Sequence, residues 1–323
     1  MTIDKTISSH FTLDRLADGV FAAIHRERGW AVANAGIIDL GDATIVFDTF
    51  LTPAAGLDLR IAAETLTGRP VEQVINSHYH NDHLWGNQAF KPRASIIATV
   101  ETAQLLRTKG QEEYDWYRDH SHSRLLEWRG RLDGEEDPKE KAALHIWTDY
   151  YQALVQSMPT LHVYAPDILF PDRFELVGSR RAAELISFTN GHTGSDTIMY
   201  LPEDRIIFMS DLLFVHCHPY LADGDPEQLL SILSQIQRLD AEIFVPGHGP
   251  VGAIRDLSLT SVYVDECRRA AEALLAESTL PEASLGLSIP DDFRDWQLPV
   301  FYEMNVRALH EQMLKPHSPH QKR

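Results

Sequence analysis

The sequence predicts a layered α/β fold, in which helices cover β-sheets. Short apolar runs, such as Val71–Ile75 and residues 243–245, have the length and β-branched content of buried strands, and they alternate with longer segments of helical spacing. Several of these runs lead into histidine or aspartate. Because sites tend to gather at strand ends in layered α/β folds, the runs that predict the fold also locate a candidate site.

The first third of the chain predicts strands, then a helix, then another strand. Four apolar runs read as strands: residues 19–24, 30–34, 36–40 and 43–48. Gly41 and Asp42 form the expected turn of a hairpin. Apolar residues at helical spacing predict a helix over residues 54–67, and Gly68 ends it. Val71–Ile75 is the next strand.

A dense group of metal-ligand residues follows that strand. It consists of His78, His80, Asp82 and His83. His78 and His80 project to one side while the chain is extended, and the other two fall in a polar loop that ends near Gly86. Neutral imidazole and carboxylate are ordinary ligands of zinc and its neighbours. This spacing favours a metal site over a loop that is merely rich in histidine.

Residues 101–160 predict a helical insertion. The segment is charged and aromatic, has no strand pattern, and contains Trp116, Trp128 and Trp147. A break at residues 133–138 divides it into two helical arms. Two interpretations stay open: a helical segment packed on the core, and a lid or homodimer surface that uses the aromatic side chains.

The second half again alternates strands with helices. Strands are expected at residues 168–171, 173–176, 183–188, 197–201, 205–209 and 243–245, and helices at residues 226–239, 258–276 and 292–314. Three of these strands lead into a candidate ligand: His192, Asp211 and His248. Equivalent strand ends in one sheet would bring these side chains and the first group into one pocket.

Composition narrows the classes of partner. The chain of 323 residues has a formal net charge of −18 at pH 7, and no cluster of lysine and arginine offsets it locally. Such a charge repels nucleic acid and anionic membranes, so a small-molecule substrate is expected. Cys217 and Cys267 form no CxxC motif, which argues against a disulfide framework or a thiolate zinc site. No signal segment or membrane span is evident, which predicts a soluble, cytoplasmic protein.

The chain resembles hydrolases of the metallo-β-lactamase fold. The HxHxDH pattern that begins at His78, the Gly191-His192 turn, Asp211 after a strand, and the turn around His248 match that family in order and approximate spacing. The resemblance covers residues 19–252. It implies one domain over residues 1–323: an αββα sandwich with the helical insertion at residues 101–160 and a helical C-terminal extension at residues 255–323.

The resemblance also implies a dinuclear metal site. By analogy, His78, His80 and His192 bind the first divalent ion, Asp82, His83 and His248 bind the second, and Asp211 bridges them. Zinc is the expected metal, and iron, manganese or cobalt stay open because such sites accept them all. The nucleophile is then a metal-bridging hydroxide rather than a side chain. Asp82 is the expected catalytic residue, which orients that nucleophile or accepts its proton.

The resemblance favours hydrolysis of a small ester, lactone, thioester or amide. Many zinc β-lactamases of this fold have cysteine near the place of Asp211, and acyl-homoserine-lactone lactonases have tyrosine where this chain has Phe214. Glyoxalase-II-type thioesterases match the ligand set, but only Arg268, Arg269 and Arg307 loosely replace their glutathione-binding residues. The alternatives are a mono-iron oxidoreductase similar to persulfide dioxygenases, a β-lactamase, and a non-catalytic binding relative.

Other side chains near the ligands have weaker signals. Four are candidates for the substrate pocket: Phe214, His216, His218 and Tyr220. The two histidines are equally well explained as exposed loop residues. Thr193, Ser195 and Asp196 either hold the ligand rings or stabilise an ordinary turn. The same two interpretations apply to Asp48, at the end of a strand, and a turn carboxylate is the preferred one.

Overall fold

Two β-sheets face each other at the centre of the molecule. The computed structural model describes residues 2–3, 8–276 and 287–314, and in these the first sheet has eight strands. In chain order, which is also their spatial order, they are β1 (Thr2–Ile3), β2 (Phe11–Ala17), β3 (Val20–His25), β4 (Ala35–Asp39), β5 (Thr44–Phe47), β6 (Val71–Ile75), β7 (Ser95–Thr99) and β8 (Ile168–Phe170). Neighbours are antiparallel from β1 to β5 and parallel from β5 to β8.

The second sheet is built from the later part of the chain. Its described strands are β9 (Arg173–Val177), β10 (Ala182–Phe188), β11 (Asp196–Leu201), β12 (Ile206–Phe214) and β13 (Ile243–His248), in the spatial order β13-β12-β11-β10-β9. Only the β12–β13 pair among these is parallel. Apolar side chains of the two sheets fill the space between them, as where the rings of Phe47 and Phe208 lie 6.1 Å apart.

Helices cover both outer faces of the sheet pair. The described helices are α1 (Pro53–Thr67), α2 (Asn81–Leu84), α3 (Val100–Leu105), α4 (Gln111–Gly134), α5 (Pro138–Ser157), α6 (Pro226–Ile236), α7 (Ile254–Ala276) and α8 (Val300–Leu314). α1 packs on the first sheet through residues such as Leu59 and Ala62, and α6, α7 and α8 pack on the second through Leu233, Val264 and Leu309. The layers are therefore α, β, β and α, which confirms the predicted sandwich.

In helix α1 the local sequence determines the two ends, and packing determines which face is buried. The Thr52 hydroxyl accepts a hydrogen bond from the Ala55 backbone N–H at 3.2 Å and caps the helix, which ends at Gly68 with φ of 69°. Leu57 and Ile61, part of the apolar spacing that predicted the helix, are 40% and 51% exposed. The buried face carries small residues instead, because α1 passes directly against the segment that follows α2.

Close contact with that segment requires glycine. A Cβ atom at Gly56 would lie 2.6 Å from the Gly86 carbonyl oxygen, and one at Gly86 would lie 1.8 Å from the Thr49 carbonyl oxygen. Both distances are too short for any side chain. The two glycines therefore allow α1 and the end of β5 to pack closely against the short helical segment that carries the candidate ligands.

The structure corrects several local predictions. Residues 30–34 form no strand; Val32 has φ of 70°, and Asn34 donates its backbone N–H to Gly247 at 2.7 Å. Asp82 lies in the short helix α2 rather than in a loop. Strand β12 continues past Asp211 to Phe214, with register shifts on both sides of Ser210. These deviations all occur where the chain approaches the candidate site.

The helical insertion is confirmed, and it packs on the candidate site. A π-helical segment, Leu106–Gly110, joins α3 to α4, and residues 135–137 separate α4 from α5. Leu125, Tyr151 and Leu154 of the insertion form one apolar cluster with Tyr79 and Trp85. The indole rings of α4 and α5 stack on each other, Trp128 on Trp147, at 5.7 Å. The packed interpretation therefore holds, and a role as a lid stays a prediction.

The C-terminal helices α7 and α8 agree with the predicted helical extension. A 3₁₀ turn, Asp291–Phe293, precedes α8, and Tyr263, Phe293 and Trp296 form an aromatic group between the helices. Residues 277–286 and 315–323 of the predicted extension lie outside the described residues. Among the described helices, none combines the length and apolar character that crossing a bilayer requires.

Candidate metal centre

The structure brings all seven predicted ligands together. His78 and His80 lie between β6 and α2, Asp82 and His83 lie in α2, His192 lies in the turn between β10 and β11, Asp211 lies in β12, and His248 ends β13. Their ligand atoms form two groups, each within 4.8 Å: His78, His80, His192 and Asp211, and Asp82, His83 and His248. Both sheets contribute, so the expectation that one sheet supplies every ligand is wrong.

Asp211 lies between the two groups. Its Oδ2 atom is 3.2 Å from His192 Nε2 and 3.9 Å from His78 Nε2. Its Oδ1 atom is 3.1 Å from His83 Nε2 and 3.5 Å from His248 Nε2. One oxygen of a single carboxylate therefore faces each group, which is the arrangement of a carboxylate that bridges two cations.

Three of the imidazoles donate a hydrogen bond from the nitrogen that faces away from the centre. The pairs are His83 Nδ1 with Asp48 Oδ2 at 2.9 Å, His192 Nδ1 with the Tyr220 carbonyl oxygen at 2.9 Å, and His80 Nε2 with Asp223 Oδ2 at 3.1 Å. A carbonyl or carboxylate oxygen only accepts, so each of these ring nitrogens holds the proton. The other nitrogen of each ring then presents its lone pair to the centre, as a metal ligand must.

The inward-facing atoms fit divalent cations. His80 Nδ1 and His192 Nε2 lie 3.0 Å apart, and neither holds a proton in these tautomers. Among the described residues, His78 Nε2, His83 Nε2 and Asp211 Oδ1 are buried without a hydrogen-bond partner. A buried polar atom without a partner costs about 1–3 kcal/mol. Cations between these atoms would satisfy all of them, so the donor set fits the predicted metals.

The pKa shifts of the ligand histidines also bear on how well the site fits cations. Burial lowers the pKa of His192 to about 4 and that of His78 well below its usual range, which keeps both rings neutral. Burial also lowers the pKa of His83, but Asp211 and Asp82 outweigh it and hold that pKa well above its usual range. Burial also lowers the pKa of His80, but its hydrogen bond to Asp223 and the nearby carboxylates outweigh this and raise it. His78 and His192 thus offer neutral imidazoles, whereas the carboxylates near His80 and His83 favour positive charge.

Asp48 is a buried acceptor for four groups, not a turn carboxylate. It is 1% exposed, and it accepts hydrogen bonds from the Ser77 N–H and hydroxyl, each at 2.8 Å, and from the Ser210 hydroxyl at 2.9 Å, besides the His83 ring. Asp48 and Ser210 both have left-handed backbone, with φ of 58° and 47°. Such strain costs about 1–3 kcal/mol per residue and is typical of functional sites. The preferred interpretation from the sequence was wrong.

The turn around His192 is held through its backbone. Asp196 accepts hydrogen bonds from the backbone N–H groups of His192 at 2.9 Å and Thr193 at 3.0 Å, and from the Thr193 hydroxyl at 2.7 Å. The Ser195 hydroxyl contacts the hydroxyl of Thr99 instead, at 2.7 Å. Of the two interpretations left open, turn stabilisation is the one that these contacts support.

The four pocket candidates lie in different places. The ring of Phe214 stacks on His248 at 5.1 Å, and the ring of Tyr220 lies 6.2 Å from that of His80, so both contact the centre. His216 is exposed. His218 is buried, and its Nδ1 lies 3.0 Å from the hydroxyl of Tyr263 on α7. The structure therefore does not bring His218 to the centre, and substrate binding by any of the four stays a prediction.

Asp223 contacts the centre and was missed in the sequence. Besides His80, it accepts a hydrogen bond from the Tyr79 hydroxyl at 2.9 Å, and it lies 3.6 Å from Lys109 Nζ. Burial raises the pKa of Asp223, but the hydrogen bond from His80 and its other partners outweigh this and lower it. No sequence signal separates it from Asp225, which caps α6.

Asp223→Ala is expected to weaken metal binding about 10–100-fold, because the His80 ring loses the acceptor that fixes its orientation and tautomer. Zinc affinity can be measured by competition with a chromogenic chelator. Asp225→Ala is the matched control: it removes a helix cap worth about 1 kcal/mol of stability but leaves His80 untouched. Equal zinc affinity in Asp223→Ala and the wild type would contradict the role of Asp223.

The sequence model of the Metallo-beta-lactamase superfamily matches residues 28–248. None of the curated proteins matches the sequence.

Solved structures similar to the chain include three metallo-beta-lactamases. The enzyme from Pontibacter korlensis is 17% identical, with a TM-score of 0.54 over 82% of this chain and 99% of that one. FIM-1 from Pseudomonas aeruginosa, in a mono-zinc form, is 14% identical, with a TM-score of 0.58 over 81% and 98%. DIM-1 is 16% identical, with a TM-score of 0.57 over 80% and 98%. At these identities the likeness shows the fold alone.

Proposed function

The chain belongs to the metallo-beta-lactamase superfamily, and from this we propose that it is a dinuclear metal-dependent hydrolase. The proposed substrate is a small ester, lactone, thioester or amide. The observation that carries the proposal is the position of Asp211, whose two oxygens each face one complete group of ligand-type side chains. A relative that had lost its catalytic activity would not need both groups of ligand-type side chains.

The residues that would hold the two ions follow from the two groups. His78, His80 and His192 would hold the first, Asp82, His83 and His248 the second, and Asp211 would touch both; zinc is the metal we propose. When bound, such ions polarise a carbonyl group and lower the pKa of water toward neutrality.

Water is the proposed nucleophile because the nearby side-chain candidates are unsuited to attack. The hydroxyls of Ser77 and Ser210 are buried and hydrogen-bonded to Asp48. Cys217 is 2% exposed, and burial raises the pKa of its thiol far above the usual range. A thiol that stays protonated is a poor nucleophile.

Asp82 is the proposed proton acceptor. Its Oδ2 lies 3.4 Å from His248 Nε2 and 3.9 Å from His83 Nε2, and its side chain keeps 16% exposure. Asp82 therefore contacts the two histidines of the second group, while part of its carboxyl group stays accessible to an entering molecule. Phe214, stacked on His248, has no hydroxyl with which to donate a proton, so its contribution is to exclude water beside that ring.

Chelation and substrate profiling test the proposal. We expect about two metal ions per chain by elemental analysis, and hydrolysis of at least one member of a panel of esters, lactones, thioesters, amides and β-lactams. Activity should fall to background after chelation and return when zinc is added. One iron per chain without hydrolysis would support the oxidoreductase alternative, and a chain without metal would support a binding protein.

The proposed partner is a small molecule rather than nucleic acid or a membrane surface, which the formal net charge of −18 supports. The homodimer and the cytoplasmic location expected from the sequence stay predictions.

A further inference from the structure

The C-terminal extension contacts the segment on which the orientation of His192 depends. That segment, residues 216–221, follows strand β12, and its Tyr220 carbonyl oxygen lies 2.9 Å from His192 Nδ1, from which it accepts a hydrogen bond. Two backbone hydrogen bonds of 3.0 Å each join the same segment to Gln297, which precedes α8. The acceptor of the His192 ring is therefore held by a part of the chain that supplies no ligand itself.

The side chain of Asn305, on α8, binds the backbone on both sides of Tyr220. Its Oδ1 atom accepts a hydrogen bond from the Leu221 N–H at 2.9 Å, and its Nδ2 atom donates one to the Pro219 carbonyl oxygen at 2.7 Å. Asn305 is 0% exposed, and its Nδ2 also lies 3.2 Å from the hydroxyl of Tyr263 on α7. These contacts use both ends of the amide and fix its orientation.

One peptide group joins Asn305 to His192. The group between Tyr220 and Leu221 donates its N–H to Asn305 and accepts the His192 hydrogen bond at its C=O. A trans peptide group is planar, and its N–H and C=O point in opposite directions, so a side chain that fixes the N–H also fixes the direction of the C=O. Hydrogen bonds in such a chain also polarise one another, which strengthens the carbonyl as an acceptor.

The backbone acceptor makes His192 dependent on this support. The outward nitrogens of His80 and His83 donate to carboxylates, whereas that of His192 donates to a main-chain carbonyl. The direction of a main-chain carbonyl is set by whatever holds its backbone. For Tyr220 that support comes from Asn305, which contacts the same peptide group.

We propose that Asn305 is a positioning residue of the metal centre, which holds the Tyr220 carbonyl against His192 and so fixes the tautomer and orientation of that ring. The inference rests on the proposed metal-dependent function and extends it to the C-terminal helices, since Asn305 lies beyond residues 28–248, which the superfamily model matches. Loss of a residue that orients a ligand histidine costs about 10–100-fold in metal affinity or activity.

Asn305→Ala tests the proposal first in the metal-free protein, by NMR with isotope-labelled histidine. The wild type is expected to show a His192 ring N–H signal that is protected from exchange with water, because this ring is buried and its Nδ1–H is hydrogen-bonded. The signal is identified by its absence from His192→Gln. In Asn305→Ala the Tyr220 carbonyl loses its support, so the protected signal should disappear. Zinc affinity, measured by competition with a chromogenic chelator, should then fall about 10–100-fold.

Leu309→Ala is the matched control for a general weakening of α8. Leu309 is buried in the same helix, and its side chain makes no hydrogen bond, so this variant loses stability in urea but keeps every contact of Asn305. Its His192 signal and zinc affinity should equal those of the wild type. Asn305→Asp keeps the acceptor for the Leu221 N–H, so it should keep the signal and lose less zinc affinity than Asn305→Ala. If Asn305→Ala does not fold, Asn305→Leu, which preserves the side-chain volume, takes its place with the same expected result.

Three results would overturn the positioning role: a wild type without the protected His192 signal, an unchanged signal or zinc affinity in Asn305→Ala, and equal losses in Asn305→Ala and Leu309→Ala. Failure of the proposed function gives a different result. A wild type that binds no zinc, or binds zinc without hydrolysing any substrate of the panel, would contradict the hydrolase. Loss of the His192 signal in metal-free Asn305→Ala, but not in Leu309→Ala, would still support the role of Asn305.

Discussion

Asp211→Ala is expected to remove metal from both groups of ligands and to lower hydrolytic turnover by more than about 100-fold. Each oxygen of Asp211 faces a different group, at 3.1 Å from His83 and 3.2 Å from His192, so one substitution removes a donor from each. Loss of a residue that only supports a ligand already costs about 10–100-fold in affinity or activity. Elemental analysis and the turnover number of the purified variant provide the measurement.

The variant Asp82→Ala distinguishes the loss of a bridging ligand from the loss of one negative charge near the ions. Asp82 lies in the second group, with His83 and His248, so this variant should lose the second ion and keep the first. The bridging geometry predicts that Asp211→Ala retains less metal than Asp82→Ala. Equal, single-ion losses in the two variants would mean that Asp211 serves one group only.

The second large effect is expected for Asp48→Ala, which should lower the free energy of unfolding by about 3–5 kcal/mol. The substitution leaves the Ser77 N–H and the donors of Ser77, Ser210 and His83 buried without their acceptor. It also frees the His83 ring to turn. Urea unfolding of the metal-free protein measures the stability, and zinc titration then measures the effect on the second group.

Asp42→Ala is the matched comparison for that experiment. Asp42 is exposed in the turn between β4 and β5 and accepts a hydrogen bond from the Ser179 N–H at 3.1 Å. Its removal should cost less than about 1 kcal/mol, since exposed hydrogen bonds contribute little. An equally small loss for Asp48→Ala would restore the interpretation of Asp48 as an ordinary turn carboxylate.

Local features of the chain could be predicted where the signal itself is local. Apolar spacing and Gly68 predicted α1, and the strand at Val71–Ile75 followed from a short apolar run. The ligand-type residues could be recognised because the HxHxDH motif places four of them within six consecutive residues. The helical character of residues 101–160 followed from the missing strand pattern. Each of these signals depends on neighbours within a few residues.

Hydrogen-bond partners that lie far apart in the sequence could not be predicted from local patterns. Asp48 contacts Ser210 across 162 positions, and His80 contacts Asp223 across 143. An aspartate or glutamate looks the same in the sequence whether it is solvated, a turn acceptor or a buried partner.

The sequence by itself therefore determined most of the secondary structure, the residue types of the candidate metal centre and, through the family resemblance, their grouping. Only the tertiary structure decided that two sheets share the ligands, and that Asp48 and Asp223 accept hydrogen bonds from the rings of His83 and His80. The physical reason is that periodicity reports the backbone of one segment, whereas the partner of a buried polar group depends on which surfaces pack together.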